Sequence, residues 1–234
     1  MPGQEGPVRL TGGGIPAVYF VDLDGTLLST SSEKYFLRHL LKKGLLSGAG
    51  FLRFLFFYAV HPFRTLREGK GWNRNYLKGL DPLNVQREAA QCAEELLKGH
   101  VRERTLRSMK ELRERGCPTV LLSASLKYIV DGVAQGVGAS GVLASTPNVT
   151  GKSFSGGLTG LRPWGRDKLD VAREYCEEMD TDMKRCAAAG DSWSDRFVLR
   201  ASGCPVAVCP DRRLERLAEG SGWILLKGRH TKWA

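Results

Sequence analysis

The stretch Ala17-Val18-Tyr19-Phe20-Val21-Asp22-Leu23-Asp24-Gly25-Thr26 decides how this chain folds. Residues 17–21 form an unbroken apolar run, the pattern of a short strand buried on both faces of a parallel sheet. The run leads directly into two carboxylates two residues apart, so Asp22 and Asp24 are predicted at the C-terminal end of a strand. Gly25 lets the chain turn there. A second apolar run, 119–122, ends in Ser123-Ala124-Ser125, and a third, 186–189, ends in Gly190-Asp191-Ser192. Amphipathic helical stretches follow at 166–179 and 195–201. The chain closes with an apolar run at 205–208, a basic helix near 212–218 and a last apolar run at 223–226. Strands alternating with helices predict an α/β fold, a doubly wound parallel sheet whose strand ends line a shared crevice.

One region breaks the alternation. Residues 31–115 read as helix after helix, with Gly and Pro breaks and no convincing strand, and are predicted as a helical cap inserted after the first strand. The α/β core then comprises 15–30 and 116–234, and the polar, Gly-rich residues 1–14 form a flexible tail without the apolar stretch of a secretory signal. The cap contains the most apolar segment of the chain, 44–60. A spanning helix needs about 20 apolar residues, and this run is shorter and carries Arg53, so a membrane span is disfavoured. Two readings stay open: the core of a small helical bundle, or an interfacial helix whose aromatic and aliphatic residues sit beside Lys42, Lys43, Arg53 and Arg64.

The chain has 234 residues, 42% of them hydrophobic, and a formal charge of +10. Residues 31–115 hold 18 Lys and Arg against 9 Asp and Glu and so carry nearly the whole excess. That one-sided charge suits an anionic partner, either a phosphorylated substrate or an anionic membrane surface, or serves as a solubilising face. No nucleic-acid-binding module is recognisable, and nucleic acid is not expected as a partner. The six cysteines lack metal-ligand spacing and read as buried free thiols. From the character of residues 1–14 the protein is expected in the cytoplasm, with the inner membrane face as a peripheral site. The sequence 150–153, Thr-Gly-Lys-Ser, imitates the end of a phosphate-binding loop, but Thr146 stands where a Gly is needed, so it reads as a hairpin turn.

Phosphoryl transfer needs a nucleophile, a proton donor for the leaving oxygen and cations against the spread negative charge. Asp22 and Asp24 offer the first two. Magnesium prefers oxygen ligands, and Asp22, the backbone carbonyl of Asp24 and Asp191 form a plausible protein share, with Asp195 as an additional or outer carboxylate.

On four ordered motifs, Asp22-Leu23-Asp24-Gly25-Thr26-Leu27, Ser123 after its strand, Lys168 in Gly165-Arg166-Asp167-Lys168, and Gly190-Asp191-Ser192-Trp193-Ser194-Asp195, the chain resembles the haloacid dehalogenase superfamily of phosphatases. Within it the resemblance is to subfamily IB, the phosphoserine-phosphatase-like branch with a helical cap. It implies that Asp22 forms an aspartyl-phosphate and that Asp24 protonates the leaving group and then activates water. Ser123, with Ala124 beside it, and Lys168 would bind the phosphoryl group, and Asp22, Asp24, Asp191 and Asp195 would hold Mg2+. Phosphoserine phosphatases carry an acid shortly after the first motif to bind the substrate amino group. Here residues 28–32 lack one and Glu33 is the first, and Ser194 replaces the usual Asn. The apolar, basic cap is closer in character to members of the branch that act on phospholipids. The substrate is therefore expected to be a phosphate monoester, lipid-related or a small metabolite. Dehalogenation would need neither Asp24 nor the metal, and a non-catalytic phosphate- or lipid-binding module would not need the full set of acids and lysine.

Overall fold

The computed structural model describes residues 13–46 and 74–227, together with Leu52 and Phe56. Most of the expected N-terminal tail and most of the apolar 44–60 segment lie outside the described residues.

Strand β1 (Tyr19–Val21) lies between β2 (Thr119–Leu126) and β5 (Ala187–Gly190), parallel to both, with Val21 level with Leu121 and with Ala189. Strands β3 (Gly141–Thr150) and β4 (Ser153–Thr159) extend the β2 side, and β6 (Cys204–Val208) and β7 (Ile224–Leu226) extend the β5 side. The seven-stranded order is β4-β3-β2-β1-β5-β6-β7, parallel throughout except for the antiparallel β3/β4 hairpin, whose turn falls at 150–153 as expected. The chain leaves β1 toward β2 and β3, then crosses to β5 on the other flank. The loops after β1 and β5 therefore diverge, which opens a crevice above the carboxyl end of β1.

Both faces of the sheet are covered, as the continuous apolar runs require. Tyr19 and Val21 point to one face, where they join residues of α1 (Ser32–Lys42), α2 (Pro82–Gly99), α3 (Glu103–Glu114) and α4 (Lys127–Val137) in one core. Val18 and Phe20 point to the other, against α5 (Arg166–Glu178), α6 (Arg196–Ala201) and α7 (Arg212–Ser221). The alternation is the period of two that a pleated strand imposes. Helix starts follow local chemistry: Asp81 caps α2 ahead of Pro82, and Asp211 caps α7 by accepting from the amides of Arg213 and Leu214. His39 of α1 meets Glu88 of α2 at 2.7 Å and ties these two helices together.

Strand β2 runs further than its apolar run, through Ser123 to Leu126, and its pairing with β3 shifts register between Ser123 and Leu126. Such a shift re-aims side chains at a strand end. Helix α3 braces the turn after β1 from behind: Thr105 Oγ1 donates to the carbonyl of Thr26 at 2.9 Å, and Arg102 Nε, just ahead of the helix, donates to the carbonyl of Gly25 at 2.9 Å. Among the described residues no helix is long and apolar enough to cross a membrane.

Candidate active site

The strand ends bring Asp22, Asp191 and Asp195 together, with one oxygen of each within 4.8 Å of the others. Asp22 follows β1 and Asp191 follows β5, so the register of two adjacent parallel strands sets their approach. Gly25 makes the approach possible. Its φ is +90°, and a Cβ there would fall 2.0 Å from Asp191 Oδ2, so any side chain would occupy the carboxylate's place.

Lys168, in the first turn of α5, reaches this cluster with 3% of its surface exposed. Its Nζ donates to Asp22 Oδ1 and to Asp195 Oδ1, both at 2.6 Å. Burial alone would depress the ammonium; Asp195 and Asp22 overturn that and raise its pKa well above the ordinary lysine value. Lys168 pairs with two of the three carboxylates, and the imbalance appears in the proton affinity of Asp22 and Asp191. Burial pushes Asp22 up to about 7 against the pull of Lys168, and burial with repulsion from Asp22 and Asp195 pushes Asp191 up to about 8.

The donor set fits a hard divalent cation, which would supply the missing positive charge to oxygen ligands. Asp195 has little left to give. Its Oδ1 takes Lys168, and its Oδ2 takes the amide and hydroxyl of Ser192 at 3.1 and 2.9 Å. Asp195 thus orients Lys168 and closes its own loop, leaving Asp22 and Asp191 as the carboxylates open to a metal. The loop is further held by Asp211, whose carboxylate accepts from the amide of Trp193 at 2.6 Å and whose amide donates to the carbonyl of Asp191 at 2.8 Å.

Asp24 faces a different set of groups. Its carboxylate accepts from Ser31 Oγ at 3.2 Å, the amide of Ser32 at 2.9 Å and Ser125 Oγ at 2.9 Å. The start of α1 and the end of β2 therefore fix it at the rim of the same pocket. Ser123 is buried there, its Oγ accepting from the amide of Ser125 at 3.1 Å, which leaves its proton free to donate. Ala124 lines the pocket as well, and its carbonyl accepts from Ser145 Oγ at 2.7 Å and Arg74 Nη2 at 3.0 Å.

All of the residues singled out in the sequence, Asp22, Asp24, Ser123, Ala124, Lys168, Asp191 and Asp195, line one cavity of about 200 Å³. A larger groove of about 880 Å³ lies at the opposite ends of β5 and β6 and contains none of them.

Sequence reasoning missed several partners. Arg74 pairs with Glu33 at 2.8 Å, and Tyr76 donates to the same Glu33 oxygen at 3.3 Å. Burial raises the Glu33 carboxyl against the pull of Arg74, with Asp24 adding repulsion. Nothing in the local sequence around Arg74 marks it, because its partners are 41 and 50 positions away. Ser125 stands two residues after Ser123, and that proximity was the available signal for its bond to Asp24. Trp164 and Pro163 form one wall of the cavity.

The family model for haloacid dehalogenase-like hydrolases matches residues 19–200. The chain belongs to this family. Among curated relatives it is 26% identical, over 88% of its length and 76% of theirs, to the inhibition of morphological differentiation protein of Streptomyces azureus. It is 25% identical, over 94% of its length and 72% of theirs, to the protein named phosphoserine phosphatase SerB1 of Mycobacterium tuberculosis. A solved structure of a Bordetella pertussis protein of unknown function superposes with a TM-score of 0.76 over 90% of this chain and 97% of that one, at 16% identity, a likeness of fold. The parallel sheet and the loop between β5 and α6 are thus the haloacid dehalogenase-like hydrolase scaffold, and the acidic cluster with its lysine sits at the scaffold's strand ends.

Proposed function

We propose that this hydrolase cleaves phosphate monoesters by covalent catalysis on Asp22, with magnesium held by Asp22, Asp191 and the backbone carbonyl of Asp24. The observation that carries the proposal is the buried ammonium of Lys168, shared at 2.6 Å by the Asp22 and Asp195 carboxylates beside Asp191. Lys168 places one fixed positive charge where a phosphoryl group spreads negative charge, and the carboxylates in excess of it call for a bound cation. Bound magnesium would add charge neutralisation at the phosphoryl oxygens.

A carboxylate oxygen of Asp22 attacks phosphorus, the bond from phosphorus to the leaving oxygen breaks, and Asp24 delivers a proton to that oxygen. In the second half, Asp24 takes a proton from water as the water oxygen attacks phosphorus, which releases inorganic phosphate and restores the Asp22 carboxylate. The three donors on Asp24 suit the ionised form that accepts the proton. For the first half, the hydroxyl of Ser31 or Ser125 turns to accept from the protonated acid. Ser123 donates to a phosphoryl oxygen, and Lys168 offsets the charge of the transferring group. The cavity of about 200 Å³ is below the ~300–1,000 Å³ of most ligand pockets and suits a small leaving group.

A second reading is a lipid phosphate taken from an anionic membrane surface by a protein of the cytoplasm. Leu52 and Phe56 support it: they are helical, four residues apart, and 67% and 69% exposed, within the segment of basic and apolar character. The six free thiols fit a reducing compartment.

The test is phosphate release from a panel of soluble monoesters, including phosphoserine, and from vesicles containing phosphatidate or phosphatidylglycerophosphate, with magnesium or with chelator. Metal-dependent turnover lost by more than about 10⁴-fold in a folded Asp22→Asn variant supports the mechanism. Turnover that survives Asp22→Asn would refute it, and activity confined to the vesicle arm would favour the lipid reading.

A further inference from the structure

The connection between the β3/β4 hairpin and α5 forms the wall of the cavity that is not made by the acids, the serines or the lysine. Its conformation is tightly specified. The amide of Trp164 donates to the carbonyl of Arg162 at 2.7 Å, a three-residue turn centred on Pro163, whose ring presets φ. Gly165 follows at φ +61°, ψ −123°, a region closed to ordinary side chains, and α5 begins at the next residue. Trp164 is therefore four residues from Lys168 on a rigid lead-in to the helix that carries it. Pro163 is buried and Trp164 half-buried, both lining the cavity. The Arg162 guanidinium lies over the Trp164 ring at 5.5 Å from its centroid, bracing the indole from one side. Asp24 lines the same cavity, so the indole and this carboxylate face one space.

Asp24 marks the leaving-group side, because it must reach the leaving oxygen. We infer that Trp164 is the leaving-group platform of this enzyme and that it selects phosphate monoesters whose leaving alcohol carries a ring, a sugar or an arene, close to the phosphate. This rests on the reading of the site given under Proposed function. An indole gains dispersion contact over a flat ring face that an open chain cannot offer, and its gain beyond simple burial corresponds to roughly 3- to 10-fold in kcat/KM. Glu33 already pairs with Arg74 and Tyr76, so the ammonium of an open-chain amino-acid phosphate would have to displace that contact.

The experiment compares kcat/KM for phenyl phosphate and glucose 6-phosphate with that for glycerol 3-phosphate and phosphoserine, in the wild type, Trp164→Ala and Trp164→Phe. The wild type is expected to prefer the ring-bearing pair by at least about 3-fold, Trp164→Phe to keep the preference and Trp164→Ala to lose it. In parallel, incorporation of ¹⁸O from water into inorganic phosphate that is lost in Asp22→Asn reports formation and hydrolysis of the aspartyl-phosphate without any leaving group. A wild type that exchanges oxygen and shows no ring preference overturns the Trp164 inference and leaves the covalent mechanism standing. A wild type that exchanges no oxygen overturns the mechanism itself. A Trp164→Ala variant that keeps the preference, or loses exchange entirely, also overturns the inference, since the indole would then act elsewhere than on the leaving group.

Discussion

Replacing Lys168 by Met keeps an unbranched stem of similar length and removes the cation paired with Asp22 and Asp195 beside Asp191. To restore the cluster's charge balance, one more carboxyl must take a proton. Neutralising a carboxyl of ordinary pKa ~3.9 costs about 1.4 kcal/mol per pH unit above that value, roughly 5.5 kcal/mol at pH 8 and about 2 kcal/mol at pH 5.5. Direct measurements on broken buried pairs give about 3–5 kcal/mol, in the same range. Lys168→Met is therefore expected to lose about 3–5 kcal/mol at pH 8 in chelating buffer. For a chain of this size that lowers Tm by about 6–20 °C. At pH 5.5 the loss should shrink to about 2 kcal/mol or less, and millimolar magnesium at pH 8 should recover part of it, because a divalent cation replaces the missing charge. Urea denaturation at the two pH values, with chelator or magnesium, measures all three. An equal loss at both pH values, insensitive to magnesium, would refute the electrostatic reasoning and assign the cost to packing of the lysine stem.

The metal-free wild type carries a related signature. Asp22 and Asp191 have folded-state pKa values raised to about 7 and about 8, above the unfolded carboxylate range, so their contribution is fully present below about pH 4 and is lost as pH rises toward 8. Thermal melts in chelator should show that part of the stability declining from pH 5 to 8, and magnesium should flatten or reverse the trend. Gly25→Ala places a Cβ 2.0 Å from Asp191 Oδ2 at a positive φ; magnesium affinity, read by calorimetry, should weaken by about 10- to 100-fold, with about 1–3 kcal/mol of stability lost to strain. Arg74→Met leaves the half-buried Glu33 with Tyr76 but without its cation and should cost about 1–3 kcal/mol, while the double variant with Glu33→Gln should regain a substantial part, a coupling that a double-mutant cycle in urea quantifies.

The main chemistry was legible because it depends on local sequence. Apolar runs of strand length ending in Asp22, Ser123 and Asp191 specify buried parallel strands, and parallel strands side by side bring their polar ends to one edge. The hairpin turn at 150–153 was legible for the same reason, from its Gly and the polar residues around it. Less legible was the extent of β2, which runs through the polar Ser123-Ala124-Ser125 because the partner β3 supplies the hydrogen bonds that hydropathy cannot anticipate. Asp195 is read from its motif as an additional or outer carboxylate, and the contacts that use both of its oxygens, with Ser192 and Lys168, come from the fold.

Strand periodicity and short motifs are properties of neighbouring residues, and they were enough to read the parallel α/β class, the family and the acids and lysine of the site. Folding in three dimensions sets who serves whom among them: Asp195 holds Lys168, Ser31 and Ser125 hold Asp24 from two separate elements, Arg74 bridges Glu33 to the end of β2, and Trp164 lines the cavity. These are contacts between residues up to about a hundred positions apart, as from Asp24 to Ser125. Their geometry comes from strand order and helix packing, which depend on the burial of the whole core and not on any one stretch of chain.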